Sequence, residues 1–312
     1  MVTLVTGANG FIGSALCSRL VADGRRVRGS FRFFSNFSKS LDGVTVGDIS
    51  ATTDWTSALH GVQDIVHLAA KVHATRDNGF SSLAEYRQTN VEATVNLARQ
   101  AIAMGVERFV FLSSIKVHGE ATDLGRPFSV TDSPNPAGSY GLSKLEAEQA
   151  LLDVAADTCM DVVIIRTPLV YGPKVKGNLD VLARCLALGV PLPLAAVNNK
   201  RSFISLHNLV DLISTCLKSC AASNQTFLVS DGEDLSTTDL VKRMGTALGF
   251  SPRMFYVPTP MLRLGLSLFG QRRVYQRLCC SLQLDSSRVC EILNWKPPVS
   301  VDKGMHFWLS GS

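Results

Sequence analysis

The sequence predicts an α/β fold, in which a doubly wound parallel sheet carries helices on both faces and a smaller α/β lobe is attached. Short apolar runs typical of buried strands alternate with helical patterns through the first half of the chain. A glycine-rich turn joins the first strand to the first helix. After Pro173 the alternation gives way to a segment interrupted by glycine and proline, which indicates a second lobe.

The predicted elements begin with a strand at Val2 to Thr6 and a helical pattern at Ser14 to Leu20. Between them stand Gly7, Gly10 and Gly13. This order of strand, glycine turn and helix lets backbone N–H groups and a helix N-terminus hold a pyrophosphate. Gly7 would permit the tight turn, Gly10 the close approach of a phosphate, and Gly13 close packing of helix on strand. The start of the chain therefore predicts a dinucleotide site.

Five further strands are expected from short apolar runs, at Arg26 to Phe31, Val44 to Val46, Asp64 to Leu68, Phe109 to Leu112 and Val162 to Arg166. When such strands are parallel, their carboxyl ends meet at one edge of the sheet, and ligands bind in the crevice there. The polar and glycine-containing motifs of the chain fall at these strand ends or on the helices that follow them.

We predict a dinucleotide-binding domain at residues 1–173, completed by about 204–230, and a substrate-binding lobe at 174–203 and 231–312. A helix at Asn208 to Cys220 and a strand at Gln225 to Val229 are expected to return to the sheet. A chain of 312 residues is long enough for one such domain with a smaller lobe.

Composition excludes some classes of function. The net charge is +5, and Lys and Arg occur without long runs, which argues against a nucleic-acid binder but suits an anionic substrate. The eight cysteines lack metal-type spacing, which favours a reducing cytoplasm and predicts no metal site. The apolar stretch at 260–270 is too short to span a membrane and is interrupted by Arg263. We expect it to be a buried helix of the lobe, with a dimer face or a membrane-surface contact as alternatives.

Tyr140 and Lys144 stand four residues apart, so a helix would place the phenol and the ammonium on one face. There the cation can lower the phenol pKa from about 10, and such a phenol can exchange a proton with an alcohol oxygen while a hydride moves at the carbon. Surface helices also carry this spacing as a solvated pair. The glycine turn at the start of the chain favours the catalytic interpretation.

The chain resembles the extended short-chain dehydrogenase/reductases, and within them the nucleotide-sugar epimerases, dehydratases and reductases. The motifs that carry the resemblance occur in the same order along the chain. They are the three glycines after the first strand, His67-Leu68-Ala69-Ala70, Asn90, Ser113-Ser114, Tyr140 with Lys144, Arg166 to Pro173 and Arg201 to Asp211. The resemblance implies a Rossmann-type sheet and an NAD(P)-dependent enzyme that is typically a homodimer.

The same resemblance assigns roles. Tyr140 would be the general acid/base, Lys144 would lower its pKa and hold a nicotinamide-ribose hydroxyl, and Ser114 would hydrogen-bond the reacting oxygen. Asn90 would support the lysine through backbone and water contacts, with a helix cap or a solvent-facing residue as alternatives. The residues expected to contact the cofactor are Gly7, Asn9, Gly10, Phe11, Ile12, Gly13, Arg32, Asp48, Ile49, Leu68, Ala69, Ala70, Asn90, Tyr140, Lys144, Thr167, Pro168 and Val170.

The choice of cofactor depends on the end of the second strand. Family members that select NAD usually carry an acidic residue where this chain has Phe31. Arg32 follows it and Arg28 precedes it, so a 2′-phosphate could be accommodated and NADP is favoured over NAD. Alternatively, both arginines face solvent. Asp48 and Ile49 match the place where the family contacts adenine, although an ordinary Gly-Asp turn has the same sequence.

The resemblance also suggests substrate contacts. Arg201 aligns with the arginine that holds the diphosphate of nucleotide sugars, and Asn178 and Arg277 would add further contacts. Lys116, beside the catalytic serine, could meet a substrate phosphate or point to solvent. His118 stands where most relatives have tyrosine and is expected to be a packed strand-end residue.

The reaction favoured by these features is 4-keto reduction of a UDP-6-deoxy-N-acetylhexosamine for surface-polysaccharide synthesis. The alternatives are a UDP-sugar C4 epimerase with tightly bound NAD, a steroid- or flavonoid-type dehydrogenase, and a dinucleotide sensor without catalysis. A 4,6-dehydratase is disfavoured, because such enzymes need an Asp-Glu pair where this chain has Ile115-Lys116.

Overall fold

The computed structural model describes residues 1–33, 41–72 and 80–310, apart from the side chains of residues 80–82. Nine strands run through these residues. They are β1 (Val2–Thr6), β2 (Arg26–Phe31), β3 (Asp42–Thr45), β4 (Asp64–His67), β5 (Arg108–Ser114), β6 (Asp161–Thr167), β7 (Leu169–Tyr171), β8 (Phe203–Ser205) and β9 (Thr226–Leu228).

Seven of the strands form one parallel sheet in the order β3-β2-β1-β4-β5-β6-β9, and β7 and β8 form a separate parallel pair. The predicted fold class, a Rossmann-type doubly wound sheet, is confirmed. The strand order reverses between β1 and β4, where Thr6 lies opposite both Ser30 and His67. A reversal of this kind opens a crevice at the carboxyl ends of the strands.

The helices among the described residues, in chain order, are α1 (Phe11–Ala22), α2 (Thr56–Leu59), α3 (Phe80–Tyr86), α4 (Ala93–Ala103), α5 (Ser139–Ala155), α6 (Asn178–Ala187), α7 (Leu206–Lys218), α8 (Thr237–Ala247), α9 (Thr259–Leu268), α10 (Arg272–Cys279), α11 (Ser287–Leu293) and α12 (Val301–Leu309). A π-helical turn at Arg87–Glu92 joins α3 to α4, and 3₁₀ turns lie at Ile115–Val117 and Cys220–Ala222.

Helices cover both faces of the sheet. Successive strand residues point to opposite sides, so neighbouring residues of one strand enter different apolar clusters. Val5 and the side chains of α1 and α7 form one apolar cluster. Leu4 and the side chains of α4 and α5 form the other. Both faces of the strands are therefore apolar, as expected of a parallel sheet covered on each side by helices.

A third apolar cluster lies apart from the seven-stranded sheet, and we call the elements that surround this cluster the second lobe. Tyr171, Met244, Met305 and Trp308 are among its buried members, and they come from β7, α8 and α12. The chain before β8 and the chain after β9 thus pack on each other.

The stretch at 260–270 is not the buried helix that its composition suggested. It forms α9, but none of the helix residues is buried. Leu262 packs against the third cluster, while Met261, Leu264 and Leu268 keep 63%, 64% and 77% of their surface exposed. The helix lies on the outside of the lobe, where it also packs against α10. No helix within the described ranges combines the length and the apolarity needed to cross a bilayer.

Candidate active site

The glycine turn after β1 is shaped by steric necessity at two positions. Gly7 has a φ of +65°, which side chains other than glycine rarely adopt. A Cβ on Gly13 would lie 2.2 Å from the carbonyl oxygen of Gly7, so only glycine lets α1 approach β1 this closely. The Gly10 amide donates to that same carbonyl oxygen at 2.9 Å and closes the turn.

The N-terminus of α1 fits a pyrophosphate. Phe11 and Ile12 open the helix, the N-cap Gly10 supplies no side-chain cap, and no acidic residue stands in the first turn. The backbone N–H groups of that turn therefore have no internal acceptor and carry the positive end of the helix dipole. Asn9 is exposed beside this helix end.

The loop after β4 lies against the glycine turn. The Thr6 hydroxyl oxygen accepts hydrogen bonds from the amides of Leu68 and Ala69, each at 3.1 Å, and Ala70 follows them. A Cβ on Gly7 would lie 3.1 Å from the Ala69 nitrogen. The structure thus places these predicted cofactor residues beside the glycine turn. Sequence reasoning did not single out Thr6, although a polar residue at the end of a buried strand signals such a role.

His67 is a packed residue beneath the loop. Its ring nitrogens contact the hydroxyls of Thr6, at 2.8 Å, and Thr94, at 3.0 Å. Burial, with a smaller effect from the charge of Lys144, lowers the pKa of His67 to about 3. The imidazole is therefore neutral at physiological pH.

Lys144 lies on the face of α5 that packs against the sheet, and the half-buried Tyr140 lies one helical turn before it. Lys144 is 2% exposed, and its ammonium lies 3.8 Å from the centroid of the Phe111 ring on β5. Burial lowers the pKa of Lys144 to about 7, opposed by the charge of Glu148. A solvated surface pair is thereby excluded, since the ammonium lies inside the protein.

The expectation that Lys144 lowers the phenol pKa is wrong for this structure. Burial raises the pKa of Tyr140 to about 12, with a further contribution from Tyr86, whose ring meets the Tyr140 ring edge-on at 5.9 Å. The physical reason is that a phenolate loses hydration in this site, while the ammonium of Lys144 lies over the Phe111 ring.

The serine pair ends β5 beside the start of α5. The half-buried Ser114 caps the 3₁₀ turn, where its hydroxyl oxygen accepts from the Lys116 amide at 3.3 Å. Gly141 allows α5 to approach, since a Cβ there would lie 2.5 Å from the Lys116 carbonyl oxygen. The predicted serine and tyrosine are therefore carried by segments in direct contact. The hydroxyl of Ser113 is buried without a partner among the described residues.

A buried cluster of charge continues along α5 beyond Lys144. Glu148 is one helical turn further on, and its carboxylate accepts from both Nε and a terminal nitrogen of Arg166, at 3.1 Å and 2.6 Å. Arg166 also donates to Nε2 of His118 at 2.7 Å. Because a guanidinium can only donate, His118 carries its proton on Nδ1. Burial, together with the Arg166 charge, lowers the pKa of His118 to about 4.

Sequence reasoning missed Glu148 and gave Arg166 no role. Glu148 follows Lys144 by four residues, the same spacing that separates Tyr140 from Lys144. This spacing could have indicated that all three side chains lie on one face of the helix. His118 is packed as expected, stacked on the Phe128 ring with centroids 5.5 Å apart.

Asn90 is buried in the π-helical turn, so neither the solvent-facing nor the capping alternative holds. Its side-chain oxygen accepts from the Lys71 amide at 2.8 Å. Its nitrogen donates to the Lys71 carbonyl at 3.1 Å and to the Ser143 hydroxyl at 3.0 Å. Asn90 thus ties the segment after β4 to α5, one residue before Lys144.

The end of β2 presents an ion pair. Arg32 and Asp48, both predicted to meet the cofactor, are joined at 2.7 Å and are largely exposed. Ile49 packs against the second apolar cluster, and Phe31 is buried. Arg28 is mostly buried and donates to Asp42 at 2.8 Å and to a backbone carbonyl at 2.7 Å, so the solvent-facing alternative is wrong for this arginine.

The remaining predicted cofactor residues lie where β6 ends. The hydroxyl of the buried Thr167 donates to the Ser113 carbonyl at 3.3 Å, and Pro168 follows it. Val170, on β7, packs against the first apolar cluster. This segment borders the end of β5, since Ser114 pairs with Thr167 across the two strands.

Of the four predicted substrate residues, the structure brings three into one neighbourhood. Arg201 donates to the Cys280 carbonyl at 2.8 Å, and burial lowers its guanidinium pKa, with the charge of the nearby Arg277 acting in the same direction. Lys116 pairs with Glu120 at 2.7 Å, and the Glu120 charge also acts on Arg201. Lys116 thus pairs with a carboxylate of its own segment, and contact with a substrate phosphate stays a prediction.

Asn178 is the first residue of α6 and is exposed. No hydrogen bond or ion pair in the described part of the chain joins it to Lys116, Arg201 or Arg277. Nor do the described residues contain three His, Cys, Asp or Glu side chains placed to hold a metal ion.

Known proteins are similar to this chain in sequence and in architecture. The chain is 44% identical over 303 residues to a UDP-glucose 4-epimerase of Vibrio cholerae, an alignment that covers 96% of this chain and 92% of the relative. It is 27% identical to an N-acetyl-alpha-D-glucosaminyl-diphospho-ditrans,octacis-undecaprenol 4-epimerase of Escherichia coli O157:H7, over 92% of this chain and 88% of that protein.

Solved structures share the fold. The structure of MoeE5 with UDP-glucuronic acid and NAD superposes with a TM-score of 0.80 at 24% identity, over 99% of this chain and 98% of the other. The UDP-N-acetylglucosamine 4-epimerase of Bacillus cereus superposes with a TM-score of 0.80 at 20% identity, over 98% and 97%. A family model described as the NAD dependent epimerase/dehydratase family matches residues 3–230. The chain therefore belongs to the NAD dependent epimerase/dehydratase family of enzymes, in agreement with the resemblance drawn from its motifs.

Proposed function

We propose that the protein is a UDP-sugar C4 epimerase that keeps one tightly bound NAD, in place of the 4-keto reductase that the sequence motifs favoured. The observation that carries the proposal is that α5, which holds Tyr140 and the buried Lys144, packs at Gly141 against the turn that Ser114 caps. The name of the Vibrio cholerae relative, at 44% identity, supports C4 epimerisation.

NAD is proposed over the NADP that the arginines near β2 suggested. The carboxylate of Asp48 holds Arg32 at 2.7 Å. A 2′-phosphate would have to compete with this carboxylate for the guanidinium and would be repelled by it. A free ribose hydroxyl, in contrast, could donate to Asp48. The family description, which specifies NAD, points the same way.

The side chains suit proton transfer at the sugar 4-oxygen. NAD, when bound, supplies the acceptor and donor of hydride at C4. Tyr140 would remove the proton of the 4-hydroxyl and return it, while Ser114 hydrogen-bonds the same oxygen and stabilises its developing charge. We expect the high pKa of Tyr140 to fall when a cationic nicotinamide lies beside it, because a nearby positive charge stabilises a phenolate. Arg201 and Arg277 would hold the diphosphate.

The test is turnover without added cofactor. Purified protein is incubated with UDP-glucose and, separately, with UDP-N-acetylglucosamine, and the C4 epimers are quantified by NMR. Nucleotide released by denaturation is then identified. We expect epimerisation and near-stoichiometric NAD. An empty site, with NADPH oxidised only in the presence of a UDP-4-keto-6-deoxy sugar, would instead establish the reductase.

The catalytic assignment is tested by Tyr140→Phe. Loss of the phenol oxygen should lower kcat by about 10²–10⁴-fold, as general acid/base catalysis typically contributes, and leave bound NAD in place. Tyr256→Phe, at an exposed tyrosine of the second lobe, is the matched control and should keep full activity. A Tyr140→Phe enzyme that keeps more than about a tenth of the rate would contradict the assignment.

A second candidate function is 4-epimerisation of a lipid-linked sugar, as in the name of the Escherichia coli O157:H7 relative. The specific observation that favours it is the exposed apolar face of α9 on the lobe that carries Arg277. Incubation with N-acetylglucosaminyl-diphospho-undecaprenol, followed by release and identification of the sugar, distinguishes it from the UDP-sugar reaction.

A further inference from the structure

Charge is distributed unevenly along the chain. Residues 240–284 contain seven cationic side chains and no Asp or Glu. The cations are Lys242, Arg243, Arg253, Arg263, Arg272, Arg273 and Arg277. The rest of the chain holds 24 Lys and Arg against 26 Asp and Glu, so the net positive charge of the protein resides in this one segment. A local excess of one sign acts on partners even when the overall net charge is mild.

Within this segment, α9 turns an apolar stripe outward. Met261, Leu264 and Leu268 are spaced by three and four residues, which places them along one face of the helix, and each is mostly exposed. Phe269, at the end of the helix, is 81% exposed. Exposed apolar groups that are contiguous mark interaction surfaces, whereas isolated ones need no explanation.

Exposed cations flank the stripe. Arg263 lies within α9, Arg272 opens α10, and both are exposed. Within the described ranges no carboxylate forms an ion pair with either of them, whereas Arg243, on α8, is neutralised by Glu233 and Asp302. The side chains of Arg263 and Arg272 thus carry charge that no anion of the described chain compensates.

The same surface continues into the loop before α9. Phe255 and Tyr256 are exposed there, next to the exposed Arg253, for which the described residues provide no ion-pair partner. We call α9, this loop and the first turn of α10, residues 253–273, the basic apolar face. It combines aliphatic, aromatic and cationic side chains, with no carboxylate among its residues.

We propose that the basic apolar face docks on the surface of an anionic lipid bilayer. Its apolar stripe suits the boundary between headgroups and acyl chains, and its arginines suit anionic headgroups. Aliphatic Met and Leu at the centre of the face favour lipid over nucleic acid, which is bound through phosphate contacts and stacked bases. The absence of any acidic side chain from this sequence segment disfavours a second copy of the same face, because like charges would then oppose each other.

Docking there would bring the neighbourhood of Arg201 and Arg277, the proposed diphosphate site, close to the bilayer. The chain runs from α10 directly to Cys280, whose carbonyl accepts from Arg201, and to Leu282, which bridges to the backbone of Arg201. A sugar whose diphosphate is anchored in the membrane could then reach Arg201 and Arg277. This last consequence rests on the lipid-linked candidate function, whereas docking itself does not.

The experiment is co-sedimentation of the purified protein with vesicles of phosphatidylcholine alone or of phosphatidylcholine with one-fifth phosphatidylglycerol. We expect binding to the anionic vesicles, weakened strongly between low salt and about 0.5 M salt because surface charges are screened. Binding to neither kind of vesicle, at low salt and micromolar protein, would overturn the proposal. Because co-sedimentation does not depend on turnover, a negative result would reject membrane docking without bearing on the proposed reaction.

Two double variants separate the contributions to binding. Arg263→Gln with Arg272→Gln should weaken binding to anionic vesicles by about 25-fold, at about fivefold for each arginine near the surface. Leu264→Ser with Leu268→Ser should weaken it by about tenfold or more through lost apolar burial. Val21→Ser with Met104→Ser, at exposed apolar positions of α1 and of the segment after α4, is the matched control and should bind like wild type.

A second copy of the chain is the other possible occupant of the basic apolar face, and light scattering during gel filtration tests it through the oligomeric state. If Leu264→Ser with Leu268→Ser converts a dimer to a monomer and vesicle binding is unchanged, the face is an interface between two copies and the proposal is wrong. An unchanged oligomeric state with reduced vesicle binding supports the proposal. Equal vesicle binding by all three double variants would also refute it.

Discussion

The two halves of the molecule handle charge in opposite ways. Beside α5, the charges of Lys144, Glu148 and Arg166 are buried, and the last two are paired to each other. On the second lobe, Arg263 and Arg272 are exposed and pair with no carboxylate of the described chain. Buried charges must be fixed by partners because hydration is lost, whereas exposed ones keep their hydration and remain available.

This difference shows what each region can be used for. The carboxylate of Glu148, fixed by Arg166, acts on the pKa of Lys144 from a defined position, as a site of proton transfer requires. Charges left free on the second lobe can attract an anionic partner whose position is less constrained. A substitution should therefore have different consequences in the two regions, even when the residue types are the same.

The largest contrast is expected between two glutamates of one helix. Glu148→Gln should lower the free energy of unfolding by about 3–5 kcal/mol, because it leaves the buried Arg166 guanidinium without its countercharge. Glu146→Gln removes an exposed pair with Arg87 and should cost no more than about 1 kcal/mol. Urea unfolding of both variants measures the contrast. Equal losses would show that the buried pair has no special role in stability.

Glycine positions offer the next contrast. Gly13→Ala places a Cβ 2.2 Å from the Gly7 carbonyl oxygen and should destabilise the protein by about 1–3 kcal/mol and lower the NAD content after purification. Gly265→Ala, on α9, meets no atom within 4 Å and should stabilise the helix by about 0.5–1 kcal/mol. Thermal unfolding and nucleotide release measure both. If Gly13→Ala retains full NAD content, the close packing of α1 on the turn is unnecessary for cofactor binding.

Lys144→Met should stabilise the cofactor-free protein by about 1–3 kcal/mol at pH 7, because a buried ammonium is removed. The pKa of Lys144 is about 7 in the folded protein, against an ordinary 10.5. Between these values the unfolded chain binds more protons, so the wild type gains stability as pH rises. The advantage of the variant should therefore shrink toward pH 10.

Urea unfolding of the cofactor-stripped protein from pH 7 to 10 follows this effect. Lys242→Met, at an exposed lysine of α8, provides the control and should change neither the stability nor its pH dependence appreciably. If Lys144→Met keeps the same rise of stability with pH as the wild type, then titration of Lys144 is not its source.

The smallest effect is expected at Arg201. Arg201→Lys keeps the charge but loses the planar donor fork, so KM for a UDP-sugar should rise about tenfold with kcat nearly unchanged. Arg253→Lys, at an exposed arginine of the same lobe, should leave both constants as they are. Steady-state kinetics separates the two constants. A fall in kcat without a change in KM would remove Arg201 from the proposed diphosphate site.

Much of the fold could be predicted because strands of a parallel sheet are continuous apolar runs bounded by turn residues. β1 and β2 begin and end at the predicted residues. β3 begins two residues before Val44, at Asp42, because pairing with Arg28 on β2 extends the strand beyond its apolar part. Backbone pairing of this kind has no signature in the pattern of side chains.

Properties of the candidate site were harder to predict when they depend on several elements at once. The spacing of Tyr140 and Lys144 indicated a shared face, but the Lys144 environment is set by Phe111 on β5 and by Glu148, which Arg166 holds from β6. The apolar composition of α9 indicated burial, yet the lobe core is already filled by α6, α8 and α12. Composition alone cannot show which apolar helix is left outside.

The short segment after α10 has a consequence for how the protein reaches its native state. Leu282 exchanges backbone hydrogen bonds with Lys200 and Ser202, and the neighbouring Ser281 and Gln283 accept from Thr122 and Phe128. These contacts span sequence separations of 80 and 82 residues on one side and of 155 and 159 on the other. The segment after α10 can therefore form these hydrogen bonds only after the parts of the chain around Thr122 and around Lys200 have folded. During synthesis, the backbone pairing around Arg201 can therefore be completed only after Leu284 has emerged from the ribosome, later than both of the earlier segments that it joins.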